Sequence, residues 1–85
     1  MSPFESPAEL HAYVRETAQI MASLGMPAAR GLEAVCAQTF TASSEWLGEL
    51  GAAVRSVESS GDVPLDVQAR FDRMMRVVHE VWPTL

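Results

Sequence analysis

The chain of 85 residues contains no lysine, no asparagine, one isoleucine and one cysteine, Cys36. A single cysteine cannot form a disulfide within the chain, so we expect a reducing compartment, the cytoplasm. All six cationic side chains are arginines. Together with frequent alanine and valine, this is the composition that GC-rich codons produce, so we expect a bacterial source.

Long apolar runs and an excess of positive charge are also missing. No segment approaches the roughly 20 apolar residues of a membrane span, and residues 1–5 lack the basic and apolar regions of a signal peptide. The formal net charge is −5 and aromatic residues make up only 7% of the chain. Nucleic acids and anionic membranes attract positive surfaces, so we expect neither as a partner.

Catalytic and metal-binding motifs are absent as well. The chain has no glycine-rich phosphate loop and no Ser-His-Asp arrangement in a plausible setting. Its two histidines, His11 and His79, lie near opposite ends, and neither has a glutamate three residues before it, the spacing of metal sites in helical bundles. We therefore expect no enzyme activity, no metal and no cofactor.

What the chain does contain is an apolar stripe at helical spacing through its middle. Steps of three and four residues keep these positions on one helical face for about eight turns. The pattern predicts an all-α fold, and no strand pattern occurs anywhere. The stripe consists of Ala29, Leu32, Cys36, Phe40, Ser43, Leu47, Leu50, Val54 and Val57.

Local signals predict where the flanking helices begin and end. Ser6, followed by Pro7 and Glu9, predicts a capped helix start, and Gly25 predicts its end. Pro27 should begin a second helix that runs antiparallel to the first. The apolar face of the first helix should comprise Leu10, Tyr13, Val14, Thr17, Met21 and Leu24.

The last helix should follow the turn Ser59-Ser60-Gly61. We expect Asp62 as its cap, Pro64 in its first turn and Pro83 at its end. Its predicted core face comprises Val67, Phe71, Met74, Met75, Val78, Val81 and Trp82.

Residues 39–44 leave two architectures open for the single domain, residues 1–85. These are mediocre helix formers, and Ser43 or Ser44 could cap a new helix, which gives a small antiparallel bundle of four helices. If the stripe is instead one helix of roughly 50 Å, the bundle has three helices, and its uncovered apolar surface predicts a homodimer.

The remaining polar candidates have ordinary interpretations. Cys36 lies in the centre of the stripe and is interpreted as a small core residue. Arg70, Arg73 and Arg76 form a row that could hold phosphate. Ion pairs from Asp66 to Arg70 and from Asp72 to Arg76 would neutralise it, so we interpret this face as solvated.

The hydrophobic content, 48%, is high for a chain with so little interior. It favours a protein that acts by helix packing, as a homo-oligomer, an accessory subunit or a partner-binding protein of the immunity, antitoxin or secretion-chaperone type. An alternative is a bundle that holds a small apolar ligand or cofactor near Met75 and His79. The predicted interaction residues are Leu47, Leu50, Val54, Phe71, Met74, Met75 and Val78.

Overall fold

A computed structural model describes residues 4–37, 44–61 and 63–85, apart from the side chain of Pro7. The described residues form four helices and no strand, which confirms the predicted all-α bundle. The helices are α1 (Pro7–Ser23), α2 (Ala29–Ala37), α3 (Ser44–Ser59) and α4 (Leu65–Val81).

The middle of the chain is broken into two helices. The indole Nε1 of Trp46 donates to the carbonyl oxygen of Val35 over 3.1 Å. Eleven residues of continuous helix would separate these groups by about 16 Å, so the chain reverses direction between α2 and α3. The four-helix alternative is confirmed and the long central helix is wrong. Phe40 and Ser43 lie outside the described residues.

The four helices form an antiparallel ring in which each helix packs against two neighbours. Contacts between α1 and α4 pair Arg70 with Thr17 and Arg73 with Tyr13. Contacts between α3 and α4 pair Gln68 with Glu58 and Val78 with Gly51. Increasing numbers on one helix meet decreasing numbers on the other, which is the up-down-up-down arrangement.

The first helix begins and ends where the sequence predicts. Ser6 caps α1 by accepting the Glu9 backbone N–H at 3.2 Å. At the other end, Gly25 has a φ of 75°, which favours glycine. The N–H of Gly25 reaches the Ala22 carbonyl at 3.0 Å and that of Met26 reaches Met21 at 3.0 Å, which forms a Schellman turn.

Two predicted helix starts are shifted. Pro27 does not begin the second helix: a turn of i to i+3 hydrogen bonds connects it to α2, which starts at Ala29. Pro64 occupies the cap position of α4 instead of its first turn, because its ψ of 148° is extended. Asp62, the predicted cap, lies outside the described residues.

The core is continuous and includes apolar side chains from all four helices. Thr17, the one fully buried polar side chain among the described residues, donates from Oγ1 to the Tyr13 carbonyl at 2.8 Å. The buried apolar residues of each helix lie on one face, as the periodicity predicts. The most deeply buried large side chains are Phe71, Met21, Leu32, Leu50 and Met74.

Three residues predicted for the core are exposed. Leu24 is 56% exposed, Val81 45% and Trp82 40%. Leu24 and Trp82 are the C-terminal cap residues of α1 and α4. The backbone of Trp82, with a φ of −124° and a ψ of 73°, has left the helical conformation, so a helical wheel no longer gives the direction of its side chain. Val81 lies in the last turn of α4, beyond Val78, the last buried residue of that helix.

Candidate protein-binding surface

The seven predicted interaction residues all lie in the core. Phe71, Met74 and Val78 of α4 are fully buried, as are Leu50 and Val54 of α3. Leu47 and Met75 are less than 10% exposed. In the folded chain these side chains contact one another, so an external partner would reach them only if the helices separated.

Two glycines allow α4 and the residues after it to lie close to α3. A Cβ atom at Gly51 would lie 2.8 Å from Val78 Cγ1 and 3.0 Å from Leu85 Cδ1. A Cβ atom at Gly48 would lie 3.4 Å from Trp82 Nε1. Because the two glycines are three residues apart, they share one face of α3. This face therefore positions the end of α4.

Trp82 is held in place by both of its N–H groups. Its backbone N–H donates to the Val78 carbonyl at 2.7 Å, and its indole Nε1 donates to the Ser44 carbonyl at 2.7 Å. The edge of the ring that carries Nε1 faces Gly48. Even so, 40% of the residue remains exposed, next to Val81, which is 45% exposed.

The residues after Trp82 turn back along the bundle. The Leu85 N–H donates to the Trp82 carbonyl at 3.2 Å, and the Leu85 carbonyl accepts from Arg55 Nε at 3.2 Å and Nη2 at 3.0 Å. His79 Nε2 lies 2.9 Å from the same oxygen. The same Nε2 lies 3.4 Å from Arg55 Nη2. These hydrogen bonds hold residues 82–85 against α3 and α4.

We call the exposed group at this end of the bundle the Trp82 surface. It comprises Val81 and Trp82 together with Ser44, Glu45 and Glu49 at the start of α3, and all five residues are exposed. In the two segments that form it, residues 44–54 and 77–85, the charged side chains are Glu45, Glu49 and Glu80 when His79 is neutral. The surface therefore has an apolar centre, and its flank on α3 carries two exposed carboxylates.

His11 and Trp46 serve the fold. His11 Nε2 lies 3.2 Å from the Cys36 carbonyl, and Trp46 Nε1 donates to the Val35 carbonyl. Both carbonyls belong to the last described turn of α2. The two rings also contact each other, with centroids 5.8 Å apart. Side chains from α1 and α3 thus contact the backbone of α2, which the sequence did not indicate.

Cys36 is half-buried on the α1–α2 side. It lines a groove of about 340 Å³ together with Arg15, Gln19 and Glu33. Burial raises the pKa of the Cys36 thiol; Arg15 opposes this effect and Glu33 adds to it. A raised pKa keeps the thiol protonated and weakly nucleophilic.

The arginines of α4 pair differently from the prediction. Arg70 does not pair with Asp66: its Nη2 contacts Glu16 Oε1 at 2.7 Å and its Nη1 donates to Thr17 Oγ1 at 3.1 Å. The guanidinium also lies 4.6 Å from the centre of the Tyr13 ring. Asp72 accepts from Gln68 Nε2 at 3.1 Å. Neither predicted intrahelical pair is among the ion pairs of the described residues.

The position of Arg73 completes this cluster. Its guanidinium lies 5.1 Å from the Tyr13 ring centre and 5.4 Å from that of Phe4, and the two rings pack edge to face. Two members of the predicted arginine row are therefore engaged with α1 and the residues before it.

Met75 and His79, the residues of the predicted ligand site, lie in different surroundings. Met75 is buried in the core, whereas His79 Nε2 is hydrogen-bonded to the Leu85 carbonyl. Within the described ranges, no group of three or more histidine, cysteine or carboxylate side chains could hold a metal ion. No described helix combines the length and the hydropathy needed to cross a bilayer.

Sequence and structure comparisons give no further guide to function. No protein-family model, no curated protein and no solved structure matches this chain.

Proposed function

We propose that this chain is a small helical protein that acts by binding another protein through the Trp82 surface. The observation that carries the proposal is the state of Trp82, which is fixed by two hydrogen bonds of 2.7 Å and yet 40% exposed. A side chain that is fixed before binding loses little conformational freedom when it binds. Tryptophan is also enriched among the residues that dominate interface energies.

The exposed end of α4 supports this proposal over a purely structural role for Trp82. Covering Trp82 and Val81 would remove adjoining apolar area from water, which favours association. The indole Nε1–H of Trp82 is already bonded to the Ser44 carbonyl. A partner could therefore cover the ring without breaking a hydrogen bond.

A binding role fits the classes expected from the sequence: an accessory subunit, or an immunity, antitoxin or secretion-chaperone protein of a bacterial cytoplasm. It requires no catalytic chemistry. The homodimer was expected from a long central helix. Because α2 and α3 are separate helices, each with its own neighbours, no long apolar face requires a second copy.

The proposal is tested by capture followed by reconstitution. The immobilised wild-type chain would be used to recover proteins from a lysate of the source organism, and a recovered candidate would be purified and titrated against three variants. We expect Trp82→Ala to weaken binding at least tenfold, which is the loss of an interface anchor. Val81→Ala should weaken it less.

The matched control is Leu65→Ala. Leu65 is 88% exposed and begins α4, so it lies about 25 Å from Trp82 along the same helix. Binding should be unchanged in this variant, and circular dichroism should show all variants folded. Equal affinity of wild type and Trp82→Ala for every reconstituted partner would refute the proposal.

A further inference from the structure

On the basis of the proposed function, we infer that the Trp82 surface binds a different protein, one that presents an apolar face flanked by arginine or lysine. The charge around Trp82 carries this inference. Glu45 and Glu49 lie within one residue of the two positions on α3 that Trp82 contacts, Ser44 and Gly48. Both glutamates are exposed.

No positive side chain offsets these carboxylates on the nearby segments. The first arginine of α3, counted from Ser44, is Arg55, and it is hydrogen-bonded to Glu58 and to the main-chain oxygen of Leu85. On α4 the nearest is Arg76, one turn before Glu80 and on the same face of the helix. The centre of the surface is therefore apolar and the flank on α3 is acidic.

A second copy of the chain is a poor occupant of this surface. Closed dimers bring the same patch of each subunit together, so Glu45 and Glu49 of both copies would lie in one interface. Like charges brought together in an interface oppose association. A partner with basic groups beside its apolar face would instead meet opposite charge, which raises the association rate and selects against acidic surfaces.

The direct test uses two synthetic probes and does not depend on the natural partner. One is a short amphipathic helical peptide of leucine and lysine, and the other has glutamate in place of each lysine. Binding would be followed by fluorescence anisotropy of a dye-labelled peptide. We expect the lysine peptide to bind the wild type, more weakly as salt is added, and the glutamate peptide not to bind.

Variants separate local charge from net charge. Glu45→Gln combined with Glu49→Gln should weaken lysine-peptide binding at least about threefold, the scale of two exposed charge contacts. Glu33→Gln combined with Asp66→Asn removes the same net charge elsewhere on the surface and should leave the affinity within about twofold. Trp82→Ala should weaken binding as much as the first double variant or more.

Equal loss in both double variants would overturn the inference, since net charge alone would then explain binding. Binding of the glutamate peptide as strong as that of the lysine peptide would also overturn it. Sedimentation gives a third test: a dimer that Trp82→Ala dissociates would make the second copy the occupant. If a reconstituted partner still requires Trp82 but ignores Glu45 and Glu49, the charge inference fails and the proposed function stands.

Discussion

Replacing Gly51 with alanine should destabilise the bundle, although alanine is the better helix former. The new Cβ would lie 2.8 Å from Val78 Cγ1 and 3.0 Å from Leu85 Cδ1, closer than ordinary van der Waals contact. Leu85 can rotate its side chain away. Val78 cannot, because it is fully buried and β-branched, with one favoured rotamer in a helix. Relief therefore requires α4 to move away from α3.

Two opposing terms set the size of the effect. Alanine in a helix interior gains about 1 kcal/mol over glycine. Overpacking a core position costs about 1–3 kcal/mol, and the immobility of Val78 places this site in the upper part of that range. The net loss should be about 1–2 kcal/mol. For a chain of this size, each kcal/mol lowers Tm by about 4–8 °C.

Gly31→Ala is the matched control, because a Cβ there would meet nothing within 4 Å. Gly31 lies in α2 and is exposed, so alanine should stabilise by about 0.5–1 kcal/mol and raise Tm. Thermal and urea unfolding, followed by circular dichroism, would measure both variants. The close α3–α4 approach would be refuted if Gly51→Ala raised Tm as much as Gly31→Ala.

Three further predictions concern the core, a helix cap and the thiol. Leu47→Asp should bury an unpaired charge, which costs several kcal/mol and should unfold the chain, as circular dichroism would show. Leu65→Asp, at an exposed position, should change Tm little. Equal Tm values of the two variants would show that Leu47 is exposed to solvent. Ser6→Ala should cost about 1 kcal/mol in urea unfolding by removing the bond to the Glu9 N–H, and an unchanged midpoint would show that α1 is not capped there. Because burial raises the pKa of the Cys36 thiol in the folded state, the unfolded chain loses this proton first as the pH rises past the ordinary pKa of a thiol. The unfolding free energy should therefore fall in alkali, and Cys36→Ala should remove this part of the fall; an identical pH dependence in both proteins would contradict the assigned burial.

The parts of the fold that the sequence predicts well depend on local physics. Ser6 and Gly25 mark the limits of α1, because a side-chain cap and a left-handed backbone are properties of a few neighbouring residues. The buried faces follow from periodicity for the same reason. Phe71, Met74 and Val78 recur at helical spacing, and all three are fully buried.

The break between α2 and α3 could not be decided by periodicity. Leu32 and Leu50 are in helical phase with each other, but two separate helices that each bury an apolar face can show the same pattern as one long helix. The deciding contact, from Trp46 to the Val35 carbonyl, is tertiary. A pattern of apolar positions does not identify such a hydrogen bond.

Pairing of the α4 arginines was missed because it depends on the neighbouring helix. The i to i+4 rule identified Asp66 as a partner within α4, but Arg70 contacts Glu16, Thr17 and the Tyr13 ring on α1. Three contacts on one guanidinium outweigh a single exposed ion pair, which contributes about 0.3–0.5 kcal/mol. Their presence depends on the antiparallel register of α1 and α4, which the sequence does not give directly.

The candidate site was missed where the helical wheel stops applying. Residues at helical spacing before Trp82 point into the core, and extending the wheel by one turn from Val78 placed Trp82 there as well. Its backbone, with a φ of −124° and a ψ of 73°, has already left the helix. Pro83 offered a usable signal, since a residue before proline is displaced from helical geometry. Gly48 and Gly51 offered another, because their spacing marks a helix face that a neighbour can approach closely. Taken together, these signals place a tryptophan outside its helix but against a glycine face, where it can be anchored and exposed at once.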